Sequence, residues 1–239
     1  MIHTDRYETR WHDTDASRRV RPSALLVYMQ ETSNRHVAEA GMSLDELRDE
    51  RGLAFILSKI RIAFRRPLSA FEDIRVETFT CPSRGYASTR CFRILSGDDV
   101  IAEADTLWAL VDINDKSLKK TEESGYIFDD EEPLVLETPA RTRAPATVEL
   151  REVGKRDILY SDIDYNMHMN NTRYPDMLCD YMPIDKVGGI TGMTLSYLRE
   201  AAYGDSLTVL RGEGEGCYYF KTVSSTGQTC LEAVVTVAE

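Results

Sequence analysis

The 239-residue sequence has no window near the roughly 18 uninterrupted apolar residues that a membrane-spanning helix needs. Its opening, MIHTDRYETRWHD, has no apolar segment of the kind that directs export. The expectation is a cytoplasmic protein with no membrane role. Cysteine is scarce and scattered: Cys81, Cys91, Cys179, Cys217 and Cys230 are odd in number and never form a CxxC pair. Such spacing argues against a zinc site or a disulfide framework and reads as reduced thiols. Basic charge is also short, with 29 Lys+Arg against 40 Asp+Glu. Residues 1–120 balance at 19 against 19, while residues 121–239 hold 10 against 21, so the whole acidic excess lies in the second half. Nucleic-acid binding finds no support in that balance. No metal and no cofactor are expected.

What is present is ordinary globular material, 42% hydrophobic and 29% charged, in a chain long enough for two small domains that each bury a core. A strand is expected near Tyr7–Trp11. RPSALLVYMQETSNRHVAEAG follows, with Pro22 at a helix start, apolar residues at Leu25, Met29, Val37 and Ala40, and Gly41 as a stop. SLDELRDERG places Ser43 and Glu46 in capping-box spacing before Gly52, which predicts a second, short helix. From Leu53 to Asp112, runs rich in Val, Ile, Phe and Thr, broken by turn residues, predict four antiparallel strands.

Residues 121–147 combine an acidic run with prolines and no periodicity, which reads as a linker or an extended surface connection. Beyond them the first half's order returns: a strand near Glu152–Tyr160, a helix over Asn171–Met182, and four strands to the end. The repeat extends to single residues. RWHDTDASRRVRPSALLVYM lies on LYSDIDYNMHMNNTRYPDML without a gap at an offset of 149, pairing Asp13 with Asp162 and Asp15 with Asp164. FRRPLSAFEDIRV lies on YLREAAYGDSLTV at an offset of 133, pairing Glu72 with Asp205. A tandem duplication follows: residues 1–120, a linker over 121–147, and residues 148–239. The expected fold class is α+β, a tandem (double) hot dog, each unit a long helix packed on a curved antiparallel sheet, the two sheets joined edge to edge.

The stretch SDIDYNMHMNN, residues 161–171, packs carboxylates, amides and a histidine together. Asp and Asn in a row ordinarily make a solvated turn. The two copies differ, however, where chemistry would matter. Asn166 and His168 stand where the first copy has Ser17 and Arg19, and Glu200 stands where it has Pro67. A duplicated enzyme needs only one working site, so the second copy reads as the active one. His168 precedes a helix start, Asn166 can donate to a carbonyl, Asp164 can orient the imidazole or a water, and Glu200 can act as a general base.

DIDYNMHMNNTRY followed by YLREAAYGD resembles the acyl-acyl-carrier-protein thioesterases of plants and bacteria, whose second hot dog has a DxNxHxNN stretch and a later Glu. The ALLVYMQETSNRH helix resembles that family's first helix, so the likeness covers nearly the whole chain. It implies hydrolysis of a fatty acyl-acyl carrier protein to free fatty acid, with Asp164, Asn166, His168 and Glu200 as the catalytic set. Some members have a cysteine after the glutamate; this chain has Ala201 there. A thiol nucleophile is therefore not expected, and Glu200 is either the base for water or the nucleophile itself. Alternatives are a hot-dog enoyl-thioester hydratase, an acyl-CoA thioesterase and a non-catalytic acyl-thioester-binding protein. Hydratases of that kind carry a Pro after the Asn, where this chain has Met167.

The same resemblance puts the acyl tunnel in the first hot dog, with Met29, Phe55 and Leu57 as candidate lining residues. The partner it implies, acyl carrier protein, is acidic. Arg61, Arg65, Arg66, Arg84, Arg90 and Arg93 are candidates for a local basic face, with Arg65 and Arg66 foremost; solvated strand positions are the plainer reading. A monomer or a homodimer is expected.

Overall fold

In the computed structural model the first half of the chain supplies β1 (His3–Glu8), α1 (Pro22–Glu39), α2 (Leu44–Arg51), β2 (Leu53–Phe64), β3 (Asp73–Arg84), β4 (Ala87–Ser96), β5 (Asp99–Asp112) and the short β6 (Leu118–Lys119). The second supplies β7 (Arg151–Asp157), α3 (Tyr174–Asp180), α4 (Ile184–Val187), β8 (Ile190–Tyr197), β9 (Ser206–Gly214), β10 (Cys217–Val223) and β11 (Thr229–Val237). The structure describes residues 2–41, 43–126, 128 and 130–238, the side chain of Arg84 lying outside the described residues.

All of these strands join one antiparallel sheet in the order β1-β3-β4-β5-β2-β8-β11-β10-β9-β7, with β6 added to β5. The first five strands in that order are repeated in reverse by the last five, so β2 and β8 meet at a central seam. There Lys59 through Ala63 pair with Ser196 through Gly192. A Cβ at Gly192 would stand 3.0 Å from the Ile62 carbonyl oxygen and from Thr138 Cγ2, so the close approach at the seam favours glycine. β1 and β7, the two outer edges, read HTDRYE and REVGKRD; charge on an edge discourages pairing with other chains.

Local chemistry sets the helices. Ser43 and Glu46 form the expected capping box on α2, and Gly52 ends it in the left-handed conformation at φ 65°. α1 runs for 18 residues and buries Leu25, Leu26, Tyr28, Met29 and Val37 on the sheet. α3 is shorter than its counterpart, 7 residues preceded by a 3-10 turn at Asn171–Arg173. Pro183 follows its end and disfavours helical backbone at Met182. One apolar core crosses the seam, from Leu26, Met29, Ile62 and Phe92 to Met177, Leu178, Met193 and Phe220.

After a 3-10 turn at Thr121–Ser124 the connecting segment has no helix or strand among its described residues, but it is anchored across the seam. Thr138 Oγ1 donates to the Ile62 carbonyl at 3.2 Å and Thr194 Oγ1 to the Pro139 carbonyl at 2.6 Å. Thr142 Oγ1 donates to Ser196 Oγ at 3.0 Å. Among the described residues no helix is long and apolar enough to cross a membrane.

Candidate active site

The motif loop closes through an isolated antiparallel bridge between Ile163 and Met169, and the first half has the same bridge between Thr14 and Val20. Both bridges obey the offset of 149. Met167 sits at φ 63° and its counterpart Arg18 at φ 60°. Asp164 Oδ1 accepts the Asn166 backbone N–H at 2.9 Å, and Asp15 Oδ1 accepts the Ser17 N–H at 2.7 Å. Asp162 accepts the Leu159 N–H as Asp13 accepts that of Arg10. The second offset holds equally: Met169 N–H donates to the Ala201 carbonyl as Val20 N–H donates to that of Leu68. These aspartates build the same turn in both halves. Asp164 touches the motif through that turn, its Oδ2 accepting from Asn170 Nδ2 at 3.4 Å. Its recorded contact with His168 is through backbone, Asp164 N–H to the His168 carbonyl at 3.1 Å, rather than through the ring.

Hydrogen bonds from Met169 to Ala201 and from Tyr203 to Met167, with a bridge between His168 and Ala202, lay the loop along the segment after β8. Glu200 stands on that segment. Its Oε2 lies 3.2 Å from His168 Nε2, the glutamate side chain 51% and the histidine side chain 29% exposed. The strand-end position leaves Glu200 open to solvent.

Asn166 is held from the other half. The Arg48 guanidinium on α2 donates through Nη1 to Asn166 Oδ1, and Arg48 also stands over the Tyr165 ring at 5.3 Å. A guanidinium has only donors, so it fixes which end of the amide faces α2 and leaves Nδ2 as the outward donor. The first half's matching loop faces the other half in turn, with Arg19 packed near Gly188 just after α4. Arg48 was not among the residues singled out in the sequence. LDELRDER reads as a solvated charged helix, and nothing in its spacing marks one arginine as facing a site.

A predominantly apolar pocket runs beneath α1. Met29, Phe55 and Leu57, expected from the sequence to line a tunnel, all line it, together with Leu44 of α2, Asn171 at the end of the motif and Thr172 directly after it. The arginines chosen as a basic docking face are placed differently. Arg61 is paired with Asp105, its cross-strand neighbour in register. Arg65 is paired with Glu103 and Glu137, Arg66 with Glu72, and Arg93 with Glu103. Arg90 is buried, 6% exposed, in the pocket wall. A carboxylate lies beside each of these four outward-facing arginines, by cross-strand register for Arg61 and Arg93, so they do not form a free basic face; the Arg84 side chain lies outside the described residues.

The thiols lie back from the site. Ala201 is 1% exposed, and the thiol beside Glu200, that of Cys230, is buried against the Glu200 carbonyl at 3.9 Å. Burial pushes the Cys230 thiol up and the Cys179 thiol up to about 12, away from the thiolate form.

A helix on a curved antiparallel sheet, given twice in one chain with a His–Glu pair in the second copy, defines a double hot-dog protein. The chain belongs to the acyl-ACP thioesterase family: residues 1–126 match that family's N-terminal domain and residues 148–236 its C-terminal domain. It is 22% identical over 235 residues to a chloroplastic acyl-[acyl-carrier-protein] hydrolase of Cuphea viscosissima, covering 90% of this chain and 57% of that protein. It is 21% identical over 236 residues to a chloroplastic palmitoyl-acyl carrier protein thioesterase of Cuphea hookeriana, covering 90% of this chain and 56% of that one. The chain thus spans a little over half the length of these curated relatives. Among solved structures, an acyl-ACP thioesterase from Bacteroides thetaiotaomicron superposes with a TM-score of 0.89 at 21% identity, over 99% of this chain and 98% of that one. The 12:0-ACP thioesterase from Umbellularia californica superposes with a TM-score of 0.85 at 18% identity, over 99% and 97%.

Proposed function

We propose that the chain hydrolyses the thioester of a fatty acyl-acyl carrier protein and releases the free fatty acid, ending chain elongation. The observation that carries the reading is the 3.2 Å approach of Glu200 to His168, in the one copy of the duplicated loop that also has Asn166. In this reading residues 1–120 supply most of the acyl pocket, residues 148–239 the reacting groups, and 121–147 the connection. The acyl chain lies beneath α1, and the thioester carbonyl sits beside the outward Nδ2 of Asn166 and the His168 ring, which polarise it. Glu200 takes a proton from water as the water oxygen bonds to the thioester carbon. Collapse of the tetrahedral intermediate breaks the carbon–sulfur bond, and the departing thiolate takes that proton. The exposed setting of Glu200 leaves room for water and favours the base role over direct attack. Asp164 serves by holding the loop that presents Asn166 and His168.

The five free thiols suit a reducing compartment such as cytoplasm, where acyl carrier protein would be the partner. Purified protein should release free thiol and fatty acid from acyl carrier protein loaded with medium- and long-chain acyl groups, without added metal or nucleotide. If no acyl carrier protein or acyl-CoA thioester is cleaved while the protein is folded, the reading fails.

A further inference from the structure

The pocket beneath α1 is not apolar to its end. Its lining crosses β2, β5, β4 and β3 in that order, three inter-strand steps of about 4.8 Å each away from the seam. On the far strands Thr80, Arg90 and Thr106 stand side by side, Thr80 opposite Arg90 and Arg90 opposite Thr106 in the strand register, and all three line the pocket. Thr106 is satisfied: its hydroxyl donates to the Arg90 carbonyl at 2.9 Å and accepts from Trp108 Nε1 at 2.8 Å. The other two are not.

Thr80, 6% exposed, has a buried hydroxyl with no hydrogen-bond partner among the described residues. Arg90, also 6% exposed, has acceptors only at Nη1, from His36 Nδ1 at 2.9 Å and Thr78 Oγ1 at 3.2 Å, with the Phe128 ring 5.3 Å away. Among the described residues no carboxylate pairs with it, and no acceptor lies against Nε or Nη2. Burial lowers the Arg90 guanidinium to about 10. Buried donors and charges are ordinarily paired, because leaving them unpaired is costly. A tunnel meant only for hydrocarbon has no use for a guanidinium and a free hydroxyl at its end.

We propose that the acyl chain this pocket takes carries a hydrogen-bond-accepting oxygen towards its distal end, a hydroxyl or a carboxylate, received by Thr80 and Arg90. The inference rests on the pocket being the acyl site of the thioesterase reading. A hydroxyl would pair with Thr80 and one guanidinium N–H. A carboxylate would accept two parallel N–H bonds and neutralise the buried charge.

The test is equilibrium binding of free acids: a chain-length series of plain fatty acids, their ω-hydroxy counterparts and their α,ω-dicarboxylic counterparts. Each is titrated into wild type, Thr80→Val and Arg90→Met, with cleavage of the matching acyl carrier proteins measured in parallel. At the best-fitting length, wild type should bind one oxygenated acid about tenfold or more tighter than the plain acid, as two made hydrogen bonds imply. A hydroxy preference or a carboxy preference identifies which oxygen the site takes. Thr80→Val, which keeps the volume, should cut the preference roughly fivefold. Arg90→Met should make the plain acid the tighter ligand; if that variant does not fold, Thr80→Val decides. Plain acids binding wild type tighter at every length, or a preference unchanged in Thr80→Val, would overturn the inference while leaving the thioesterase reading intact. Absence of cleavage with the binding preference present would count against that reading alone.

Discussion

The Arg48 guanidinium and the Asn166 amide join the two halves of the duplication at the site, the first half's short helix fixing the orientation of a side chain in the second half's loop. Since the arginine must face the amide oxygen, Nδ2 is left outward, where the proposed function has it meet the substrate. Arg48→Ala should lower kcat about tenfold or more with KM little changed, the range of a hydrogen bond to a charged group. Made in an Asn166→Ala background, the same change should add almost nothing. Equal losses in both backgrounds would show that Arg48 acts on something else.

Asp15 and Asp164 hold the same turn, but in the proposed function only one turn bears the chemistry. Asp15→Ala should therefore cost about 1 kcal/mol of stability in denaturant unfolding and leave kcat near wild type. Asp164→Ala should cost a similar amount and also reduce kcat, by freeing Asn166 and His168. A loss of turnover in a fully folded Asp15→Ala protein would contradict this division of labour.

The single core across the seam predicts that the halves unfold together. Met193 is fully buried and paired in register with Ile62. Met193→Ala should cost roughly 2–5 kcal/mol, the range for truncating a buried Met. Calorimetry should show one transition moved down, rather than two transitions of which one is unmoved.

His36 lies against Arg90 and His3, and burial first, then the Arg90 charge, lowers it to about 4. The unfolded chain takes up that proton near pH 6.5 and the folded chain near pH 4, so the unfolded state binds more protons between these values. Stability should then fall as pH drops through that window. Unfolding free energies at pH 7 and pH 5 should differ less in His36→Asn than in wild type. An identical difference in both would assign the acid sensitivity elsewhere.

Much of this architecture is legible in the sequence because duplication writes the same turn twice. The offsets of 149 and 133, visible as Asp13 with Asp162 and Glu72 with Asp205, return in the structure as matched bridges and backbone hydrogen bonds. Capping chemistry made α2 readable to the residue at both ends. What stayed hidden depends on register and on packing between halves. That Arg61 faces Asp105 follows from how β2 aligns with β5, which no local pattern encodes. Arg90 looked like its outward neighbours, although its place in the Thr80–Arg90–Thr106 row puts it in the pocket wall. Arg48 reaches Asn166 across 118 positions of sequence. The helix expected over Asn171–Met182 is cut to seven residues because its first turn is 3-10 and its end falls short of Met182, the residue before Pro183.

The most direct test is thiol release from acyl carrier protein by Glu200→Gln beside wild type, with circular dichroism to show that the variant is folded. Glutamine keeps the shape and the approach to His168 but cannot accept a proton from water. Acid–base catalysis is worth about 10² to 10⁴ in rate, and turnover should fall by that order with little change in acyl binding. A folded Glu200→Gln protein that turns over at the wild-type rate would contradict the account.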